Sequence, residues 1–180
     1  MTGPGPPDSA LIARVLVDDD RHAFATLVRR HQPSVRAFAR RLAGDSSDDV
    51  AQTAFVLAWQ HLASFRGEGA LRSWLLKLTY RAFLTDARRA HHRRELVDDE
   101  AVGARAGDAH DAGVRRDVGR ALATLRDEER AALALCFEDG LTHEEAAGVL
   151  EMPLGTLKSH VARGKEKLKI LLAAYRPEAA

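Results

Sequence analysis

THEEAAGVLEMPLGTLKSHVAR, residues 142–163, holds the two signals that decide the fold. The first is a capping box. The Thr142 hydroxyl can accept from the Glu145 amide while the Glu145 carboxylate reaches back to the Thr142 amide, which starts a helix, and Leu141 can staple onto Ala146. That helix runs only to Leu150, and its Ala146, Ala147 and Gly148 are small enough to let another helix approach closely. The second signal is the break. Glu151-Met152 makes a tight turn, and Pro153 opens a new helix at a position that needs no amide donor. A short capped helix, a tight turn and a second helix are the grammar of a helix–turn–helix. The second helix is expected to bury Leu154, Leu157, Val161 and Leu168 and to expose Thr156, Lys158, Ser159, His160 and Arg163. Hydroxyls interleaved with Lys, His and Arg suit a major groove, where basic groups neutralise phosphates and the rest reach base edges. A helical hairpin with a basic solvent face is the plainer alternative.

Helical period continues back toward the N-terminus. Residues 1–7 are rich in Gly and Pro and are expected to be disordered. Asp8 or Ser9 caps a helix carrying Leu11, Ile12, Val15 and Leu16. A second stretch carries Phe24, Leu27 and Val28. Pro33 fits the first turn of a third, whose Val35, Phe38 and Leu42 run to Gly44. Ser46 or Ser47 then caps a helix with Asp48 and Asp49 in its first turn, where the macrodipole favours acids. Its apolar positions are Val50, Ala54, Phe55, Leu57, Ala58, Leu62 and Phe65, and Gly67 and Gly69 break it. The next helix has Leu71, Trp74, Leu75, Leu78, Phe83 and Leu84 and ends in the basic run 88–94.

Over residues 95–113 the period disappears among Gly, Ala and acids, which reads as a flexible linker. It resumes near Val114 through Val118, Leu122 and Leu125. Asp127 caps a helix that buries Ala131, Leu133, Ala134 and Phe137 and stops before Gly140. No segment has the period of a strand. The expected fold is all-α: two small helical domains, residues 8–94 and 114–176, joined by the linker 95–113.

Composition narrows the function classes. At 46% hydrophobic and 29% charged residues the chain is globular rather than disordered. A lone cysteine, Cys136, excludes an internal disulfide framework and a cysteine-based zinc cluster. No apolar run approaches the roughly 18 residues of a membrane span, and the start lacks the flank and core of a signal peptide. The protein is expected to be soluble and cytoplasmic. Its net charge of +1 is unevenly spread. Through Arg94, fifteen bases face nine acids, a balance of +6, whereas residues 95–117 stand at −4. Residues 153–172 return to +4, with five bases against Glu166. Two basic surfaces separated by an acidic stretch suit two contacts with a polyanion, or simply solvate two helix faces.

Residues 153–160, Pro-Leu-Gly-Thr-Leu-Lys-Ser-His, resemble the start of the recognition helix of sigma region four. Residues 48–59, Asp-Asp-Val-Ala-Gln-Thr-Ala-Phe-Val-Leu-Ala-Trp, resemble the polymerase-binding helix of sigma region two. Ser64-Phe65-Arg66-Gly67-Glu68 and Trp74-Leu75-Leu76-Lys77-Leu78 are similar to the loop and helix that follow it. With these motifs in order from about Leu11 to Tyr175, the chain resembles the extracytoplasmic-function (group IV) sigma factors of the sigma-70 family. That resemblance implies a protein that binds RNA polymerase core, through the β′ clamp helices and the β flap, and directs it to promoter DNA. It implies that Asp48, Asp49, Gln52 and Phe55 face the clamp helices, with core packing the alternative for Phe55. Phe65, Arg66, Lys77, Tyr80 and Arg81 would hold the unpaired minus-ten strand, and Thr156, Lys158, Ser159, His160 and Arg163 would read the minus-thirty-five duplex. Family habit adds an anti-sigma factor as a partner. Three positions depart from the pattern. Arg81 stands where many members have Asn, His160 where Arg is usual, and Thr53 in place of a common acid.

Other classes were weighed. Cys136 with His143 and Asp139 could form a nucleophilic site, but Cys136 falls in an apolar helical run that favours a buried thiol. His91 and His92 are adjacent and point about 100° apart on a helix, which does not suit a metal. No phosphate-cradling glycine loop is present. Neither enzymatic activity nor a cofactor or metal is expected. A helix–turn–helix regulator acting without core polymerase, and a sigma-like adaptor that binds polymerase without selecting promoters, remain the alternatives.

Overall fold

The computed structural model describes residues 5–67, 69–96, 122 and 124–173. Within the described residues the bounded α-helices are α1 (Asp8–Asp18), α2 (Arg21–Ala43), α3 (Ser47–His61), α4 (Leu71–Leu96), α5 (Asp127–Leu133), α6 (His143–Leu150) and α7 (Leu154–Ala173). The described residues contain no strand, as expected.

Of the stretch 1–7 expected to be disordered, residues 1–4 lie outside the described residues, and Pro6 is held by a hydrogen bond. Arg30 of α2 donates to the Pro6 carbonyl at 2.9 Å and pairs with Asp8, whose other oxygen lies 2.8 Å from His31 Nε2. Asp20 caps α2 by accepting from the Ala23 amide at 2.9 Å. Helix α2 then runs 23 residues straight through Pro33, where a new helix was expected to begin. A proline inside a helix forfeits a backbone hydrogen bond and costs about 3 kcal/mol. Burial on both sides of it, of Leu27 before and of Val35, Phe38, Ala39 and Leu42 after, outweighs that cost.

A 3-10 turn over Gly44–Ser46 leads into α3. It leaves Ser46 near φ −81°, ψ 6°, outside the extended region a capping residue uses, and its side chain makes no capping bond. Helices α2, α3 and α4 pack on one another around Phe38, Phe83, Leu62, Leu76, Val35 and Val50. Glu95 and Leu96 continue α4, so the helix overruns the expected start of the linker. The rest of the linker, and nearly all of the stretch from Val114 toward Leu122, lie outside the described residues.

In the second group the cap of α5 is Arg126, not Asp127. Arg126 is extended, and its amide donates to the Glu129 carboxylate at 3.2 Å. Glu129 is buried and also meets Lys167 of α7 at 2.7 Å. After Leu133 the helix opens into a π turn over Ala134–Glu138, in which the Asp139 amide reaches the Ala134 carbonyl five residues back at 3.0 Å. The extra residue turns Phe137 outward. It is 57% exposed where burial was expected, with the Lys165 ammonium 4.9 Å from its ring centroid. Helix α7 crosses α5 so closely that a Cβ on Gly164 would lie 2.8 Å from Leu133 Cδ1. The capping box of α6 forms as read: Glu145 N to Thr142 Oγ1 at 3.2 Å, Thr142 N to Glu145 Oε2 at 2.8 Å.

Helix α6 packs against α4 as well as α7, and α2 packs against α5. The small buried Ala146 and Ala147 sit in this crowded helix, whereas Gly148 faces open space.

Candidate functional site

Helix α3 offers one outward face. Asp48, Asp49 and Gln52 are exposed on it, and Phe55 is half-buried at its edge, packed on the core. The same face carries two large apolar groups beyond the four residues expected to meet the polymerase. These are Val56, 49% exposed, and Trp59, 37% exposed. At 100° per residue, positions 48, 49, 52, 55, 56 and 59 fall within about 120° of one another. Trp59 stands edge-on to Phe24 with centroids 4.9 Å apart, and with Arg21 the two rings line an open groove. Exposed tryptophan and valine beside Gln and two acids form a surface suited to another protein. Their signal in the sequence is their spacing of four and seven residues from Gln52.

Between α3 and α4 the chain passes Phe65, in extended backbone and half-buried, its ring 5.5 Å from that of Trp74. Arg66 beside it is exposed. Gly67 and Gly69 follow at φ 75° and 87°, left-handed positions that glycine takes without a steric cost. An aromatic and an arginine on a glycine-flanked loop can stack on an unpaired base and hold its phosphate.

The remaining three minus-ten candidates lie within about one turn of α4: Tyr80 is buried, and Lys77 and the exposed Arg81 are engaged in ion pairs. Tyr80 is 5% exposed and stacks obliquely on Phe83, with centroids 6.2 Å apart. Burial, with the Glu128 and Asp127 carboxylates of the second group nearby, pushes its phenol up to about 12. Arg81 donates from Nε and Nη2 to the two carboxylate oxygens of Glu151 at 2.7 and 2.6 Å. Lys77 Nζ joins the same carboxylate at 3.1 Å. These donors, Arg81 first, hold the Glu151 carboxyl down from its ordinary 4.5 to about 2. Further along the same seam, Arg72 binds the Asp139 side chain and carbonyl and the Ser34 hydroxyl. Arg41 pairs with Glu138, and Arg130 reaches the Leu42 carbonyl at 3.2 Å. The Ser34 hydroxyl also donates to Asp139 Oδ1 at 3.4 Å, 105 residues away in sequence, and none of these pairings is legible from local spacing.

On α7, Thr156, Lys158, Ser159 and Arg163 are exposed, and Leu157 and Val161 are buried behind them; Leu154 and Leu168 are only partly buried. The Ser159 hydroxyl donates back to the Gly155 carbonyl at 2.9 Å, and Arg163 Nε to the Ser159 carbonyl at 3.2 Å. His160 is half-buried, its Nδ1 turned inward without a hydrogen-bond partner. The resulting surface, with Lys158 and Arg163 exposed, is cationic.

Two family patterns match this chain: Sigma-70 region 2 over residues 27–94 and Sigma-70 region 4 over residues 115–168. The ECF RNA polymerase sigma factor SigE of Mycolicibacterium smegmatis is 32% identical over 163 residues, 86% of this chain and 63% of that protein. The chain therefore spans a little under two thirds of that relative's length. The ECF RNA polymerase sigma-E factor of Escherichia coli K12 is 31% identical over 177 residues, 89% of this chain and 92% of that one. Among solved structures, a sigma factor RpoE in complex with the anti-sigma factor NepR from Bartonella quintana superposes with a TM-score of 0.71. It is 27% identical, over 85% of this chain and 98% of its own. CnrH in complex with the cytosolic domain of CnrY gives 0.66 at 25% identity, over 93% and 97%.

Proposed function

The chain belongs to the extracytoplasmic-function sigma factors of the sigma-70 family, and from that premise we propose how its surfaces divide the work of binding RNA polymerase core and directing it to promoters. The α3 face of Asp48, Asp49, Gln52 and Phe55, extended by Val56 and Trp59, docks on the β′ clamp helices. The Phe65–Arg66 loop with Lys77, Tyr80 and Arg81 takes the unpaired minus-ten strand. The exposed start of α7, from Thr156 through Lys158, Ser159 and His160 to Arg163, enters the major groove of the minus-thirty-five duplex, while its domain meets the β flap. The chain divides into residues 8–94 and 114–176 about a linker, with α4 extending the first part to Leu96. Among the described residues no helix is long and apolar enough to cross a membrane. The proposed work, with RNA polymerase as its partner, is done in the cytoplasm. An anti-sigma factor is a further partner, in line with the two solved relatives captured with theirs.

One observation carries this reading. The family patterns of both regions fall in order on one chain, one on the exposed apolar and acidic face of α3 and the other on a helix–turn–helix with a cationic second helix. Run-off transcription reconstituted with core enzyme tests it. Promoter-specific transcripts that depend on the chain are expected, and Val56→Glu should abolish core binding with an unchanged circular dichroism spectrum. Duplex binding without any need for core would instead mark a regulator. Core binding without promoter-specific transcripts would mark an adaptor.

A further inference from the structure

Glu151 occupies a backbone position that usually goes to glycine. It ends α6 in the left-handed region, φ 54° and ψ 44°, where its amide donates to the Ala147 carbonyl, and it begins the turn of the helix–turn–helix. Glycine or asparagine adopts that conformation at least cost, and a strained residue kept in such a place points to a task for its side chain. The task is visible in the contacts. The carboxylate grips Arg81 through both oxygens and Lys77 through one, while the neighbouring Tyr80 is buried, with Glu128 and Asp127 of the second helix group near it. Two of the five groups assigned to the minus-ten strand are thus held by the half that carries the other DNA-binding helix, and a third is buried beside them.

A carboxylate and a phosphodiester offer an arginine the same pair of acceptor oxygens. We propose that Glu151 is an internal stand-in for promoter phosphate: it holds the free protein closed over Lys77 and Arg81, and single-stranded DNA must displace it to reach them. This rests on the assignment of those residues to the minus-ten strand. The seam has further anchors at Arg72 with Asp139 and Ser34, Arg41 with Glu138, and Arg130 with the Leu42 carbonyl, so the two helix groups meet at several points rather than swinging on one. Because Glu151 stays charged down to about pH 2, proton uptake cannot open the clasp near neutrality. Opening has to come from a competing anion, from salt, or from a partner that spreads the two groups. Glu151 and Arg81 are each about half exposed, so the clasp biases an equilibrium and does not lock it.

The test uses the full chain and its Glu151→Gln variant, which keeps the side-chain shape and the left-handed backbone but loses the charge. The variant is expected to bind a labelled oligothymidylate strand roughly three- to tenfold more tightly than the parent, with the gap closing near ~0.5 M salt. Small-angle scattering should show a larger radius of gyration. Arg81→Glu should also expand the protein, and adding Glu151→Arg to it should restore the compact form, a rescue that a misfolded variant could not give. If Glu151→Gln changes neither size nor affinity while the parent supports promoter-specific run-off, the clasp is wrong and the sigma reading stands. Expansion without tighter binding would overturn the competition. A parent that gives no run-off with core would overturn the sigma reading whatever the scattering shows.

Discussion

Helices α1–α4 bury Phe38, Tyr80 and Phe83 and pack Phe24, Phe55, Phe65 and Trp74 partly against them. Helices α5–α7 bury no aromatic side chain among the described residues; their interior is Leu125, Leu133, Leu135, Leu141, Leu150, Leu157, two valines and a set of alanines. Large rings fill the space between the helices of the first group, alongside buried alanines of α2 and α3. A core of Ala and Leu works only if helices come close, which is why Gly164 lies on Leu133 and Ala146 and Ala147 are buried in α6. Such a core also removes less apolar surface per residue from water. The second group makes up part of the difference with polar pins, the Glu129–Lys167 pair and the docking of α6 on α4.

The largest effect is expected where the ring core is emptied. Phe38 is fully buried in the middle of α2. Phe38→Ala should cost about 3–5 kcal/mol, the usual range for deleting a buried ring. Urea unfolding followed by circular dichroism measures it. A loss below about 1 kcal/mol would mean that the first group does not depend on its rings, and the contrast would fail.

A second, smaller effect probes the close approach. A side chain at position 164 meets Leu133 before any other group. Gly164→Val is expected to destabilise by about 1–3 kcal/mol through overpacking, and Leu133→Ala in the same chain should return part of that loss. Double-mutant coupling of this kind separates a steric clash from a change in helix propensity. A valine variant as stable as the parent would show that the two helices have slack, and close packing would not distinguish the second group.

The features legible in the sequence are those whose partners lie a few residues away. Thr142 and Glu145 are three apart, so their reciprocal bonds could be read directly, and so could the turn before Pro153. The exposed acids of α3 and the cations of α7 followed from helical period in the same way. What escaped depends on distant neighbours or on a local break in the period. Pro33 signalled a helix start because the burial that holds α2 together around it is tertiary. Phe137 fell on the apolar stripe of an ideal helix, and one extra residue in a π turn moved it to the surface. Arg81 and Glu151 are 70 residues apart, with much of the intervening chain lacking any pattern, so no spacing rule could pair them. Tyr80 is a reasonable stacking aromatic by type, and its burial follows from tertiary packing that no local spacing shows.

The smallest effect concerns the pin that the second group uses in place of rings. Glu129 loses solvation on burial, which pushes its carboxyl up, but the Lys167 ammonium and the Arg126 amide more than reverse this and hold it below the ordinary 4.5. A carboxyl with a depressed value in the folded state stabilises the fold above its unfolded value, and that contribution disappears as pH falls from about 4.5 through the folded value. Glu129→Gln keeps an acceptor for the Arg126 amide and removes the charge facing Lys167. Lys167 is 42% exposed, so solvent screens the pair and the expected cost near neutrality is only about 1 kcal/mol. Asp139 works in the opposite direction. Burial raises its carboxyl, so protonation as pH falls favours the fold at the seam, and a single acid-unfolding curve would mix the two effects. The informative quantity is the stability difference between parent and Glu129→Gln, measured by urea unfolding at neutral pH and again well below pH 4.5. That difference should shrink toward zero in acid, because the parent then loses the same interaction. A difference that stays constant through the acid range would mean that Glu129 contributes by packing and capping alone, and the second group would have to be held by its small-residue core without an ionic pin.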